Sequence, residues 1–156
     1  KRIVLDGGGI PCYPVLADDS RELNEHERDV EELARTLKKR EVHAVEFIPK
    51  RNSLELLKHY AGYFHSQGFC VLFGTEHNTP GRPTLVPRAR GNAPLDEELE
   101  KIGYEGACIV AAHQERRRRG EGGYVDRRGR LLVDKNSRTE LTSLGDSLIR
   151  EYIGRA

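Results

Sequence analysis

A chain of 156 residues has the length of one domain, enough to bury a core of its own. With 26 Lys and Arg against 25 Asp and Glu the formal net charge is +1, so no global field holds the protein on nucleic acid or on an anionic membrane surface, and anion recognition must be local. The apolar runs fall far short of the roughly 20 residues that span a bilayer, no signal-peptide h-region opens the sequence, and the widely spaced Cys12, Cys70 and Cys108 read as reduced, buried thiols, so the expected location is the cytoplasm.

The predicted elements begin with Arg2 to Leu5, read as a short buried strand that ends at Asp6 ahead of Gly7, Gly8 and Gly9. Pro11 and Pro14 mark a loop. In "DVEELARTLKKR" the spacing of Val30, Leu33, Ala34 and Leu37, with Asp29 as N-cap and Glu32 at the capping-box position, predicts a helix. "VHAVEFIP", from Val42 to Pro49, is β-branched and aromatic and stops at a proline, which predicts a second strand. Ser53 caps a further helix with Leu54, Leu57, Ala61 and Phe64 on one face and Gly68 at its end, and Phe69 to Phe73 forms the third strand. Strands alternating with helices over short joints pair in parallel, because parallel neighbours need a crossover.

The expectation is a single α/β domain over 1–156, with parallel βαβ units in 1–80. A loop with three prolines and three arginines follows over 81–94, then a mainly helical part over 95–156. In that part Leu95 to Lys101 and Tyr104 to Arg119 read as helical, "YVDRRGRLLV" as a hairpin turning at Arg128 and Gly129, and Leu141, Leu144, Leu148, Ile149 and Tyr152 as the face of a closing helix.

Parallel α/β folds bind ligands beyond the carboxyl ends of their strands. By this reading the strands deliver Asp6, Glu46, and the pair Glu76 and His77 to one rim. Glu76 and His77 are suitable donors for a divalent cation, or else a solvated carboxylate and a packed ring beside a turn capped by Thr75 or Asn78. Glu46 lies inside an apolar run and needs a cation or hydrogen bonds, a salt bridge to Arg51 being the plain alternative. Asp6 is a candidate ligand, or it accepts amides of the glycine turn that follows. Lys50, Arg51, Arg82, Arg88 and Arg90 fall in loops on the same rim and suit phosphate or carboxylate oxygens. The triple glycine lacks the spacing of a phosphate loop, His26, His59, His65 and His113 read as surface or core residues, and Arg116 to Arg119 read as a solvated helix end.

At "GTEH", Gly74 to His77, the chain resembles the polymerase and histidinol phosphatase (PHP) family, metal-dependent hydrolases built on a distorted barrel of parallel strands. The resemblance implies a partial, TIM-like barrel of PHP type with additional C-terminal helices, Glu76 and His77 as ligands of a divalent metal (Zn, Mn or Fe), and phosphate esters as substrates. The family's acid and histidine are separated by one intervening residue whereas Glu76 and His77 are adjacent, and its early HxH pair is absent here, which implies either the C-terminal portion of a longer barrel or a reduced descendant. The function expected is a metal-dependent hydrolase of a small anionic substrate, with Glu46 or Asp6 orienting water or ligand and Arg51, Arg82 and Arg88 clamping the anion. The alternatives are a non-catalytic α/β ligand-binding or assembly domain and a lyase using Lys50 as a Schiff base. Unfinished barrel edges predict a homo-oligomer or a missing N-terminal segment to cover them.

Overall fold

A computed structural model describes residues 1–17, 25–75 and 85–155. Three strands, β1 (Cys12–Val15), β2 (Ala44–Phe47) and β3 (Cys70–Phe73), form a parallel sheet in the order β1-β2-β3. Their register is level, running from Cys12, Ala44 and Cys70 abreast to Val15, Phe47 and Phe73 abreast. A short helix, α1 (Arg2–Asp6), precedes β1, and α2 (Val30–Lys39) and α3 (Leu54–Ser66) connect the strands. After β3 two short antiparallel strands, β4 (Arg88–Ala89) and β5 (Ala93–Pro94), form an arm, followed by α4 (Glu97–Arg118) and α5 (Lys135–Ile153).

The helices start where the side chains dictate. Asp29 accepts from the amides of Glu31 and Glu32, Ser53 from Leu56 and Asp96 from Leu99, each satisfying donors that a helix N-terminus leaves unpaired. Glu32 does not complete a capping box and turns to Arg35 instead. A reciprocal box does form at Asp134 and Ser137, ahead of α5.

The two-residue period of the strands sorts their side chains into two cores. Val15, Val45, Phe47 and Val71 pack with Leu33, Leu37, Leu57 and Phe64. Ala44 and Cys70 pack with Ile109, Ala112, Tyr124 and Leu141 on the other face. A parallel sheet buried on both faces is the usual arrangement, and α4 serves both sides, giving Leu99 and Ile102 to the first core and Ile109 and Ala112 to the second. The Gly106 backbone lies directly on the Val71 carbonyl, so α4 covers the outer edge of β3. On that side the edge expected to need a partner is covered by the chain itself. At the β1 edge Pro14 carries no N–H, and the buried Glu27, 2 % exposed, accepts from Tyr13 Oη at 2.8 Å and from the Leu16 amide at 3.1 Å. Burial, and after it the hydrogen bond to Glu27, push the Tyr13 hydroxyl up to about 12.

The mixed α/β class and the parallel βαβαβ order hold, but the first strand lies elsewhere than expected. Arg2 to Asp6 is helical, with Ile3 88 % exposed and only Leu5 buried. The strand is Cys12–Val15, in the segment read as a loop; its prolines argue against pairing, yet Pro14 sits on an edge strand where a missing donor costs nothing. The two helical stretches after Leu95 are one helix of 22 residues. The expected hairpin reduces to a single bridge between Val125 and Leu131, with Gly129 at φ +91° in the turn. Residues 85–94, expected to be loop, hold β4, β5 and the 3-10 turn Arg90–Asn92 between them. All three cysteines are free, and Cys12 is exposed rather than buried. Among the described residues the sheet does not close into a barrel, and no helix is long and apolar enough to cross a membrane.

Candidate functional site

Because the register is level, β2 and β3 end together, and the Gly74 amide still donates to the Phe47 carbonyl at 2.9 Å. Glu46 lies between Pro14 and Leu72 in the register, half-buried near the carboxyl end of the sheet. Its carboxylate rests against Gly74, where a Cβ would overlap Oε1 and crowd Ile48 Cδ1 at 3.1 Å. A side chain at 74 would thus have to displace the end of the Glu46 side chain, with no positive φ to favour glycine there. Among the described residues Glu46 forms no hydrogen bond and no ion pair, so the salt bridge to Arg51 is not made. Although Cys12 as a residue is exposed, enclosure of its sulfur, and after it the Glu46 charge, push the thiol up to about 12.

Beyond the strand ends opens a cleft of about 420 Å³, lined by Pro49 and Lys50 from the turn after β2, by Gly74 and Thr75 after β3, and by the 86–92 stretch of the arm. Arg88 and Arg90 come from that stretch. Arg88 makes a long contact, 3.4 Å, to the Asn92 carbonyl, and the Arg90 guanidinium donates to the Arg51 carbonyl. Asn52 is fully buried: its side-chain Nδ2 donates to Ile48 O at 2.9 Å, and its main-chain carbonyl accepts the Arg90 amide at 2.9 Å, which fastens the arm. Asn52→Ala is expected to cost about 1–2 kcal/mol, the deficit left by one unsatisfied buried carbonyl. Thermal unfolding checks this: an Asn52→Ala protein as stable as the parent would show that the Ile48 carbonyl does not depend on the Asn52 side chain.

From the expected set the structure therefore places Lys50, Arg88 and Arg90 on one cleft and sets Glu46 against Gly74, which also lines it. Arg51 sits half-buried in the turn Pro49–Arg51 and contributes its carbonyl to Arg90, without lining the cleft. Asp6 does not belong to this rim: it ends α1, is exposed, and bridges Arg2 at 3.6 Å. Lys1 Nζ donates to the Arg40 carbonyl just before the chain enters β2, so α1 lies by the amino ends of the strands, opposite Glu46. Glu76, His77 and Arg82 lie outside the described residues. Within the described residues no three His, Cys, Asp or Glu side chains gather as a metal site.

Sequence reasoning missed two buried polar residues, Asn52 and Glu27, whereas His113, read as surface or core, is core. Asn52 and Glu27 are buried joints, and His113, 2 % exposed, donates from Nε2 to Gly8 O at 3.0 Å and accepts the Tyr124 amide at Nδ1 at 2.9 Å. That pairing fixes its tautomer, and burial keeps its pKa low, so His113 is a neutral tether. A larger groove of about 1020 Å³ lies between α3, α4 and α5, but its inner polar groups, His65, Glu105 and Arg138, are spent on one another. No protein-family model matches the chain, and no curated protein or solved structure matches it either.

Proposed function

We propose that the chain belongs to a metal-dependent hydrolase of PHP type, a phosphoesterase acting on a small anionic substrate, with its three parallel strands standing as consecutive strands of a TIM-like barrel. The observation that carries the reading is the Glu46 carboxylate, held against Gly74 beside a cleft that Lys50, Arg88 and Arg90 make basic. A half-buried carboxylate that pairs with no counter-charge among the described residues is a costly placement, and a cation at the strand ends would offset it. The sequential parallel order and level strand ends support the barrel comparison, since barrel enzymes keep their chemistry at that end.

In this reading Glu76 and His77, two and three positions after Gly74, would supply the metal ligands, and Glu46 on β2 is kept as the carboxylate that acts on water. A divalent ion, Zn, Mn or Fe, contributes Lewis acidity and brings bound water towards a pKa near 7. With the ion bound, Glu46 would orient the attacking water and take up a proton from it, and Lys50 and Arg88 would hold the anion with their cationic heads.

Metal analysis after incubation with zinc or manganese should find one ion per chain, removed by His77→Ala. Glu46→Gln should lower metal-dependent turnover of a phosphate ester at least 100-fold, the low end for loss of a general base. No stoichiometric ion, or one that survives His77→Ala, sinks the proposal. Anion binding that a chelator leaves unchanged, with no turnover, would favour the non-catalytic ligand-binding alternative.

A further inference from the structure

We infer that the end of the molecule opposite the cleft docks on an anionic lipid surface, its arginines meeting the headgroups and Ile3 entering the acyl boundary. The inference stands apart from the hydrolase reading, because it concerns other residues at the other end of the sheet.

The formal net charge of +1 conceals a separation of charge that the topology creates. Helices favour acids in the first turn and bases in the last. Helix α2 opens on Glu31 and Glu32 and closes on Lys38 and Lys39, and α4 opens on Glu97, Glu98 and Glu100 and closes on Arg116, Arg117 and Arg118. As a crossover helix α2 ends by the amino ends of the strands. Helix α4 runs antiparallel to β3, with Gly103 at Phe73 and Gly106 at Val71, so it ends there too.

This pole carries more cation than two helix ends call for. Residues 116–130 hold seven arginines against Glu121 and Asp126, and Arg127 and Arg128 stand exposed in a turn rather than at a helix end. The turn is fixed to its surroundings: Lys1 Cε and the Glu41 carbonyl fill the space beside Gly129, and Lys1 Nζ donates to the Arg40 carbonyl at 2.6 Å. Beyond the other end of α1, Arg117 Nε lies 3.7 Å from where a Cβ on Gly8 would sit. Arg2, Arg118, Arg119 and Arg130 pair with carboxylates of their own elements. Lys39, Arg40, Arg116, Arg117, Arg127 and Arg128 pair with none among the described residues.

Charge alone would suit any polyanion, and the apolar residues decide between them. Within α1, Ile3 is 88 % and Val4 42 % exposed. Glu105 meets Arg138, Cys108 meets Gly145, and Arg118 shares a groove with Tyr152 and Ile153, so α5 runs alongside α4 in the same direction. Its last turn therefore brings the exposed Tyr152 and Ile153 to the same end. Exposed aliphatic side chains gain nothing from a phosphodiester backbone, whereas a bilayer takes them into the boundary between headgroups and acyl chains. Stable attachment to a membrane surface takes two signals, and a basic cluster beside exposed apolar side chains supplies both.

The test is co-sedimentation of the whole protein with vesicles of phosphatidylcholine alone or with about 30 mol % phosphatidylserine, at rising salt. The protein should bind the anionic vesicles, leave the neutral ones, and come off as salt screens the charges. Arg127→Gln with Arg128→Gln, both on exposed positions, should weaken partitioning about 25-fold, about fivefold for each cation. Ile3→Ser should weaken it about fivefold without disturbing the fold, the side chain being almost fully exposed. Lys50→Gln with Arg88→Gln, at the opposite end, should change nothing. No binding to anionic vesicles, binding indifferent to salt or to the arginine pair, or binding lost through the Lys50 and Arg88 pair overturns the inference. An Ile3→Ser protein that binds like the parent, or a short DNA duplex that anionic vesicles do not displace, shows a surface for polyanions at large and overturns the lipid assignment. Each of these outcomes leaves the metal and turnover measurements on the cleft as they stand.

Discussion

Gly145→Ala is expected to destabilise the protein by about 3 kcal/mol, at the upper end of overpacking effects because the obstacle is backbone. A methyl group there would overlap the Cys108 carbonyl and come within 2.6 Å of Cys108 Cα, so α5 must move away from α4 along its whole contact. Gly106→Ala should act similarly from the opposite side of α4, where the Val71 carbonyl occupies the space a Cβ would need. Gly62 provides the contrast. It lies within α3 with open space beside it, no heavy atom standing within 4 Å of where a Cβ would sit, so Gly62→Ala should stabilise by about 0.5–1 kcal/mol through helix propensity and the stiffer unfolded chain. Thermal unfolding of the three variants checks the claim: a Gly145→Ala protein as stable as the parent would mean that α4 and α5 do not pack backbone to backbone.

The second large effect is expected at Arg138. From α5 its guanidinium donates to Glu105 Oε1 at 2.8 Å and to the carbonyls of Gly68 and Phe69 at 2.8 and 3.0 Å, while His65 bonds the other Glu105 oxygen at 2.9 Å. One cation thus joins α5 to α4 and to the start of β3, with side-chain exposures of 16 % and 21 % for Arg138 and Glu105. Arg138→Met keeps the aliphatic bulk but takes the Arg138 donor from the Phe69 carbonyl and leaves Glu105 with His65 alone, while Gly68 O keeps the Tyr124 hydroxyl, and should cost about 2–3 kcal/mol.

The His65 and Arg138 contacts hold the Glu105 carboxyl down at about 2, against 4.5 for an unperturbed group. The unfolded chain therefore binds a proton near pH 4.5 that the native state refuses until about pH 2, and the stabilisation is complete above pH 5 and is lost as pH falls through that window. Glu105→Gln should flatten the stability profile between about pH 4.5 and 2 relative to the parent. Parallel profiles for the two proteins would show that Glu105 is not the group responsible.

The candidate site is legible in pieces. Glu46 can be singled out because a carboxylate amid Ala44, Val45 and Phe47 contradicts its surroundings, and such contradictions mark places where function or pairing compensates. Lys50, Arg88 and Arg90 can be assigned to a rim because they follow strand ends, but nothing in their order distinguishes Arg51, which turns its carbonyl to Arg90 instead of lining the cleft. Asp6 is misplaced along with the strand expected to carry it. Four apolar-leaning residues before a glycine run fit a strand or a helical turn equally, and only packing against Arg40 and the 126–130 turn decides between them.

Residue order is enough to establish the α/β class, the crossover helices α2 and α3, and the strands β2 and β3, because the periods of 3.6 and 2 and the caps at Asp29 and Ser53 are local signals that neighbours a few residues away can read. The assembled fold is needed to make Cys12–Val15 a strand, to run α4 unbroken across Gly103 and Gly106, and to turn Asn52, Glu27, His113 and Arg138 into joints. Those outcomes depend on backbone carbonyls and carboxylates brought together from distant parts of the chain, and a long-range hydrogen bond or a close backbone approach leaves no periodic trace in the residues that make it.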